Sequence, residues 1–501
     1  MFKEKLDHEK VKAIHQPREK TREKLDNPKA KGLSTTLNEF IPTAEKPWDK
    51  KRAAHVIRRL SFGLHYNDLD TALLMTPSQF IDSMIDAALN AEMPAAPEWE
   101  NKYPPGWGAS DEEVIQYFSE NFDLYIEYQT EWTALMKAHP FREKMVLFWH
   151  NHFVTEIGKY ELAPYAYRHF SILRNNALGN VKDFVREIGL DQAMLIYLDG
   201  VENRAESPNE NYARELLELF TMGIGNYTQT DIEEIARALT GYWVNYFDFS
   251  VNFAAEIHDA GEKTFFGRTG NYDYNDVIDI IFEEREQEIA EYICTKIYKF
   301  FVYETPNEAI VSELAQLLIN ENFEIEPVVR TLLKSEHFFD DEIMGAMIKS
   351  PIELMLGLQI EVGEGLNEDL LSWQPWQLLN LGQFLFSPVN VAGWPGHRAW
   401  ISTTTLPFRW QYSAIHAYAA SIDPVSIAKA MSNPNDPYQL VEDLAEYMLA
   451  VDLPQADKDA LPGVLLGGIP DYEWSVDAGG AKWRILSLMS HIRQLPAYQL
   501  K

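Results

Sequence analysis

Two histidines and an asparagine stand among aromatic residues in the segment 148–153, which reads FWHNHF. Imidazoles in such an apolar setting are partly buried, and each needs a hydrogen-bond partner. On a continuous helix His150 and His152 point about 200° apart, so they grip one metal ion only if the helix unwinds between them. The segment predicts metal or acid–base chemistry at both histidines, or else one that caps a helix C-terminus and one that packs in the core.

A second polar group lies in the segment 207–220, SPNENYARELLELF. Ser207 with Glu210 three residues later predicts a capping box at the start of a helix. Asn209 falls on the apolar side of that helix, where a buried amide needs several hydrogen bonds, and Arg214 lies among carboxylates spaced for ion pairs. The opposite, polar face carries Glu210, Asn211, Arg214, Glu215 and Glu218. This pattern is typical either of a functional site or of a structural ion network.

A third candidate is the dipeptide His258-Asp259, which opens the segment HDAGEKTFFG and follows a stretch with strand character. A histidine beside an aspartate on a glycine-containing loop offers a ligand or an acid–base group at the end of a rigid element. The other interpretation is a turn in which Asp259 caps its own backbone.

A fourth candidate is the segment 391–401, VAGWPGHRAWI, in which Trp394, His397 and Trp400 stand between glycines and a proline. A stiff aromatic loop of this kind can line a groove or stack on a ring-shaped ligand. It can equally be a buried plug that fixes the C-terminal helices.

Composition excludes several classes of protein. The 44 Lys and Arg against 76 Asp and Glu give a net charge of −32, which repels nucleic-acid backbones and anionic membranes. One cysteine, Cys294, allows no internal disulfide and no Cys-rich zinc site, so a metal here must use His, Asp and Glu. The sequence holds no apolar run of about 18 residues and no P-loop, GxSxG or HExxH motif. It therefore predicts neither a membrane span nor a nucleotide, serine-hydrolase or zincin site.

The elements that must position these residues are mostly helices. Hydrophobic periodicity predicts a mainly α protein, a large multi-helical bundle, with one small β-ribbon where residues 242–253 read YWVNYFDFSVNF. Residues 1–33 carry ten Lys and Arg against six Asp and Glu. We therefore expect a charged N-terminal tail over 1–47, a helical part over 48–268 that holds the polar groups, and a second helical part over 269–501 with the aromatic loop.

Eight segments together resemble the bacterial domain-of-unknown-function 1800 (DUF1800) proteins. They are KRAAHVIRRLSFG at 51–63, FWHNHF at 148–153, AMLIYLDG at 193–200, NENYARELLELFTMG at 209–223, DIEEIARALTGYW at 231–243, HDAGEKTFFG at 258–267, KSPIELM at 349–355 and VAGWPG at 391–396. The resemblance implies a largely helical bacterial protein and no assigned reaction. Many of its members look exported, whereas this N-terminus has no secretory signal, so we expect a cytoplasmic location.

The leading hypothesis is an enzyme with one polar pocket, either a metal-dependent hydrolase or an oxidoreductase, acting on a small-molecule or polymer substrate. A site of His and carboxylate ligands suits Zn, Fe or Mn. The expected metal ligands are His150, His152, Glu215, Glu218 and His258. The expected catalytic residues are His150, His258, Asp259, Glu215, Asn209 and Arg214, with the Trp394 loop at the entrance.

The alternative is a non-catalytic binding or assembly protein. In that case the same residues form networks that lock helices together, and the acidic surface docks a protein partner. Recognition of glycans by the aromatic loops is a further interpretation that rests on tryptophan content alone.

Overall fold

A computed structural model of the chain describes residues 34–106, 108–363, 368–419 and 423–501. These residues form a mainly α structure, which confirms the predicted fold class. Within the described ranges there are twenty-two α-helices. Their bounds are Lys50–Leu60, Tyr66–Leu73, Pro77–Leu89, Asp111–Ala138, Pro140–His150, Ile157–Tyr160, Ala163–Asn175, Val181–Ile188, Gln192–Tyr197, Glu210–Glu215, Gln229–Ala238, Tyr274–Glu284, Glu286–Phe301, Glu308–Asn320, Ile325–Lys334, Pro351–Ile360, Glu368–Leu381, Thr405–Ala419, Pro424–Lys429, Pro437–Met448, Gln455–Leu466 and Ala481–Gln494.

Capping residues in the sequence mark where several helices begin. The helix Pro351–Ile360 has Ser350 as N-cap, proline at its first position and Glu353 at its third. The Ser350 side chain accepts from the Glu353 backbone N–H, and the Glu353 carboxylate accepts from the Ser350 N–H at 2.8 Å. Such reciprocal capping satisfies two backbone donors that would otherwise lack partners. Thr76 and Ser110 start their helices in the same way.

Two short antiparallel ribbons interrupt the helices. The predicted one pairs Tyr242–Val244 with Val251–Phe253. A second, which the sequence did not predict, pairs Lys263–Phe265 with Arg268–Gly270. Its turn residues, Phe266 and Gly267, both have positive φ, of 49° and 80°. Positive φ at both central residues suits the twist of a two-residue hairpin, which explains why glycine follows Phe266. Three glycines, Gly261, Gly267 and Gly270, lie within or just before this hairpin.

Two helix predictions need correction. Hydrophobic periodicity predicts one helix over 274–302, but the structure has two, Tyr274–Glu284 and Glu286–Phe301, with a break at Arg285. The stretch 208–222 begins later than the proposed Ser207 cap: its N-cap is Asn209, whose side chain accepts from the Asn211 N–H at 2.9 Å. It also ends in a π-helical turn, Leu216–Thr221.

The predicted charged tail falls largely outside the described residues, which begin at residue 34. In residues 34–47, its last part, Leu37 and Phe40 are buried against the body. Phe40 is 5% exposed, stacks on Phe339 with ring centroids 4.3 Å apart, and donates its backbone N–H to the Lys334 carbonyl at 2.8 Å. Among the helices of the described ranges, none has both the length and the apolar character that a bilayer crossing requires.

The helix Pro140–His150 runs through the centre of the hydrophobic core, and every residue from Phe141 to His150 is buried. Glu143 on this helix is fully buried and accepts hydrogen bonds from Trp132 Nε1 at 2.8 Å, Arg142 Nε at 3.0 Å and Arg174 Nε at 3.1 Å. Trp132 and Arg174 belong to the neighbouring helices Asp111–Ala138 and Ala163–Asn175. One carboxylate therefore joins three helices and balances two buried guanidinium groups.

Replacing Glu143 with alanine leaves Arg142 and Arg174 buried without their anion. We expect Glu143→Ala to lower the free energy of unfolding by about 3–5 kcal/mol, as for other broken buried pairs. The control is Glu210→Ala, which removes an i,i+4 pair with Arg214 whose side chains are 38% and 39% exposed. That variant is expected to lose about 0.5 kcal/mol. Equal losses by urea denaturation would contradict this account of the core.

Candidate functional site

A cavity of about 230 Å³ opens where the end of the helix Pro140–His150 meets the helix Glu286–Phe301 and the aromatic loop 391–400. Three of the segments that carry the family resemblance supply lining residues. These segments are FWHNHF, KSPIELM and VAGWPG. The polar side chains in the lining are Asn151, His152, Lys296, Lys299, Ser350, Glu353, Gln383, Trp394, His397, Trp400 and Lys501.

His152 reaches the cavity in a defined protonation state. Its Nε2 lies 3.0 Å from the Phe220 carbonyl oxygen, which can only accept, so Nε2 carries the proton. Its Nδ1 lies 3.0 Å from Lys296 Nζ. Burial, together with the positive charge of Lys296, lowers the pKa of His152 well below its usual value. His152 is therefore neutral, with an Nδ1 lone pair that accepts a hydrogen bond from the lysine.

Lys296 lines the cavity beside His152. Besides His152, its Nζ donates to the Leu219 carbonyl at 3.2 Å and lies 4.8 Å from the centre of the Tyr292 ring. No carboxylate forms an ion pair with Lys296 among the described residues. Burial, followed by the positive charge of Lys299, lowers the pKa of Lys296 to about 7. The amine is thus charged and neutral in comparable amounts near neutral pH.

The aromatic loop is held against the end of the FWHNHF segment by Asn151. The Asn151 Oδ1 accepts the Trp394 backbone N–H at 2.6 Å, and its Nδ2 donates to the Trp394 carbonyl at 3.3 Å. Gly393 lies directly beneath this amide with φ of +84°, and a Cβ there would lie 2.6 Å from the Asn151 carbonyl oxygen. The glycine in VAGWPG is required for this close approach.

A buried carboxylate closes the other side of the cavity. Glu353 accepts hydrogen bonds from both Lys144 Nζ and Lys501 Nζ, and Lys144 also donates to the Ser61 carbonyl at 2.8 Å. Burial alone would raise the pKa of the Glu353 carboxyl, but Lys144 and Lys501 lower it well below its usual value. Burial, only partly offset by Glu353, lowers the pKa of Lys501 to about 7. The single carboxylate of Glu353 therefore pairs with both Lys144 and Lys501, so positive charge exceeds negative charge around it.

His150 does not share the cavity with His152. It is fully buried among the rings of Phe170, Trp394 and Trp132, with centroids 4.8, 5.2 and 5.7 Å away. Its Nε2 accepts the Phe386 backbone N–H at 3.2 Å, so its proton is on Nδ1. Burial lowers the pKa of His150 well below its usual value. This histidine packs in the core.

The segment 209–218 forms its own network away from the cavity. Asn209 caps the helix Glu210–Glu215, and Arg214 pairs with the half-exposed Glu210 at 2.8 Å. Burial, and then the charge of Glu218, raises the pKa of Glu215, with a partial offset from Arg214. Glu218 accepts the Tyr227 hydroxyl at 2.6 Å. Asn209, Arg214 and Glu218 thus each have a partner that does not line the cavity.

His258 and Asp259 form a braced turn. The His258 Nδ1 lies 2.9 Å from the Thr240 carbonyl, and the Asp259 backbone N–H donates to the Thr240 hydroxyl at 2.8 Å. The Asp259 carboxylate accepts from Arg237 at 2.7 and 3.3 Å. This pairing with Arg237 lowers the pKa of Asp259. The turn is anchored through its polar groups.

Of the eight predicted site residues, His152 is the one that lines the cavity described here. Glu215 and Glu218 act on this region only at a distance: their charges add to burial in raising the pKa of Tyr292, whose ring centre is 6.4 Å from that of His152. Within the described residues, no group of three or more His, Cys, Asp or Glu side chains is arranged to hold a metal ion. The five predicted metal ligands are therefore not gathered.

Lys296 was missed by the sequence analysis, although the sequence carries a signal for it. Lys296 is seven residues after Ile289 and three after Ile293, both fully buried, so it lies on the apolar face of its helix. A lysine on such a face loses solvation, and its pKa falls. Lys501 and Glu353 carry no comparable signal, because their contacts join segments almost 150 positions apart.

The comparison with protein families gives one match. A family model described as "Protein of unknown function (DUF1800)" matches residues 55–500, nearly the whole chain. No curated protein and no solved structure matches the chain.

Two glycines of the aromatic loop allow a matched test of the Asn151 clamp. Gly393 and Gly396 both have positive φ, of 84° and 72°, but a Cβ at Gly396 meets nothing within 4 Å. We expect Gly396→Ala to lower the free energy of unfolding by about 1–3 kcal/mol through backbone strain alone, because φ of 72° with ψ of −170° is a conformation that glycine adopts almost exclusively. Gly393→Ala adds a steric clash of about 1–3 kcal/mol. Equal losses in urea denaturation would show that the clamp does not hold the loop.

The lowered pKa of Lys296 predicts the direction in which folding stability changes with pH. Between its folded pKa of about 7 and its ordinary value of 10.5, the unfolded chain binds more protons at this residue than the folded chain does. Stability due to Lys296 therefore rises with pH across that window. We expect the melting temperature of the unsubstituted chain, relative to that of Lys296→Met, to increase from pH 7 to pH 10. A difference that stays constant with pH would contradict the lowered pKa.

Proposed function

Since the chain belongs to the DUF1800 family, whose description assigns no activity, we propose its function from the cavity. The protein is an enzyme that binds a small organic anion in this cavity and moves protons with the His152–Lys296 pair. The volume of about 230 Å³ lies below the roughly 300–1,000 Å³ of sites for drug-sized ligands, which favours a small substrate.

The observation that carries this proposal is the charge of the lining. Besides His152, four cationic or imidazole side chains line the cavity, against one carboxylate among the described lining residues. That carboxylate, Glu353, is already bound by Lys144 and Lys501. A cavity with uncompensated positive charge concentrates anions, and the effect matters most in a chain whose net charge is −32. The four are Lys296, Lys299, His397 and Lys501.

The His152–Lys296 pair supports catalysis in addition to binding. A group whose pKa lies near neutrality gives and takes protons efficiently, and the pKa of Lys296 is about 7. His152 Nδ1, 3.0 Å away, accepts a proton or hydrogen bond from that amine. Trp394, which also lines the cavity, is 4% exposed and has an indole N–H without an acceptor among the described residues.

The metal-dependent hydrolase or oxidoreductase expected from the sequence has no assembled ligand set in the described ranges. The enzyme proposed here therefore relies on side chains of the chain itself. A structural role suits the other polar groups better. Arg237, for example, pairs with Glu234 at 2.9 Å and with Asp259 at 2.7 Å. These pairs connect the segment that leads into the second ribbon to the helix Gln229–Ala238.

Binding of simple anions tests the proposal without knowledge of the substrate. Isothermal titration with acetate, oxalate, succinate and phosphate at pH 6, where the lysines are charged, is expected to find at least one that binds. Succinamide, the neutral analogue of succinate, is expected not to bind. Affinity should fall as pH rises above 7, because Lys296 and Lys501 lose their protons there.

Lys299→Gln removes one charge from the lining and is expected to weaken anion binding by about three- to tenfold. Lys482→Gln, which removes an exposed lysine outside the cavity, is the matched control and should leave affinity unchanged. Absence of binding by all four anions, or equal affinity in both variants, would overturn the proposed function.

A further inference from the structure

We propose that the Lys296 amine is a covalent nucleophile that forms an imine with a 2-oxo acid held in the cavity. This inference rests on the proposed function, because the same cationic lining must hold the carboxylate of that substrate. It adds the chemical class of the substrate and the atom that attacks it. The smallest members of the class, such as glyoxylate, carry one carboxylate beside one reactive carbonyl.

The hydrogen bonds around Lys296 suit a neutral amine. A neutral amine has two N–H bonds, and Lys296 has two acceptors, His152 Nδ1 at 3.0 Å and the Leu219 carbonyl at 3.2 Å. Both bonds are kept when the third proton leaves, and the lone pair then replaces that proton. Neither acceptor is an anion, and among the described residues no carboxylate pairs with the amine to hold it in its charged form.

The position of the amine provides both parts of the recognition. Lys299 is one turn further along the same helix and also lines the cavity, so a carboxylate can pair with Lys299 beside the Lys296 amine. Lys501 and Trp394 line the same cavity. A 2-oxo acid matches this arrangement, because its carboxylate and its carbonyl are adjacent.

The reaction is balanced without a cofactor. The Lys296 nitrogen lone pair attacks the carbonyl carbon, the carbon–oxygen double bond opens, and a nitrogen proton moves to the oxygen to give a carbinolamine. The carbon–oxygen single bond then breaks, and the oxygen leaves as water with the second nitrogen proton. The carbon–nitrogen double bond of the imine remains. His152 Nδ1, hydrogen-bonded to the amine, accepts a proton during attack and returns it to the leaving oxygen.

The neutral fraction of the amine sets its rate of attack. Lys296, with a pKa of about 7, is mostly unprotonated at pH 7.5, whereas an ordinary lysine with a pKa of 10.5 is almost entirely charged. The titratable and charged groups that face Lys296 from the surrounding elements, and that a pH profile must consider, are His152, Tyr292, Lys299, His397, Lys501 and Glu353.

Reductive trapping of the full-length protein with glyoxylate and cyanoborohydride tests the proposal. Reduction of the imine leaves a carboxymethyl group on the lysine, which peptide mass spectrometry locates. At pH 7.5 we expect Lys296 to be labelled on the order of a hundredfold faster than the exposed Lys482 in the same sample. An anion from the titration panel should slow labelling of Lys296 and leave that of Lys482 unchanged.

The variant Lys296→Met should lose the fast label. In Lys299→Met, Lys296 should remain the labelled site, but its labelling rate should fall more with glyoxylate than with acetaldehyde, which has no charge. Because the comparison of Lys296 with Lys482 uses the unsubstituted protein, it stands even if a variant folds poorly. Labelling of Lys296 no faster than Lys482 overturns the imine proposal. If anions still bind in that case, the proposed function survives it; if they do not, both fail.

Discussion

Two buried lysines that share one carboxylate set the electrostatics of this molecule. Glu353 caps the helix Pro351–Ile360 and also accepts from Lys144 and Lys501, so it connects the central helix, the start of a second helix and residue 501. Burying an ion is tolerated only where partners surround it. Glu353 meets that condition for itself, and its pKa is lowered accordingly. The charges of Lys144 and Lys501 are only partly compensated, because both lysines pair with the single negative charge of Glu353.

The consequence is an interior in which amines give up protons near neutral pH. Lys349 and Lys501, like Lys296, have their pKa lowered to about 7, in each case mainly by burial. Lys349 lies 3.8 Å from the centre of the Tyr498 ring and does not line the cavity, whereas Lys296 and Lys501 do. Lys501 pairs with Glu353, but no carboxylate among the described residues pairs with Lys296, which contacts His152 instead. This contact distinguishes Lys296 from the other two lysines.

The helical architecture and many of the positions where helices begin could be predicted from local sequence. Amphipathic periodicity and capping residues act over only one or two helical turns. The long helix Asp111–Ala138 is an example, with Ser110 and Glu113 at its start. Short-range signals also located the first ribbon. They could not separate the two roles of FWHNHF, in which His150 is enclosed by Trp132 and Phe386 while His152 faces Lys296. Those surroundings come from segments 18 to 236 positions away, and only folding shows them.

The central claim is that the amine of Lys296 loses its proton near neutral pH. It is tested most directly by NMR titration of the protein labelled with ¹³C at lysine Cε, with the Lys296 signal assigned by its loss in Lys296→Arg. The account predicts a titration midpoint near 7, in agreement with the lowered pKa. A midpoint near the ordinary lysine value of 10.5 would mean that the amine stays charged in the cavity, and it would contradict the account.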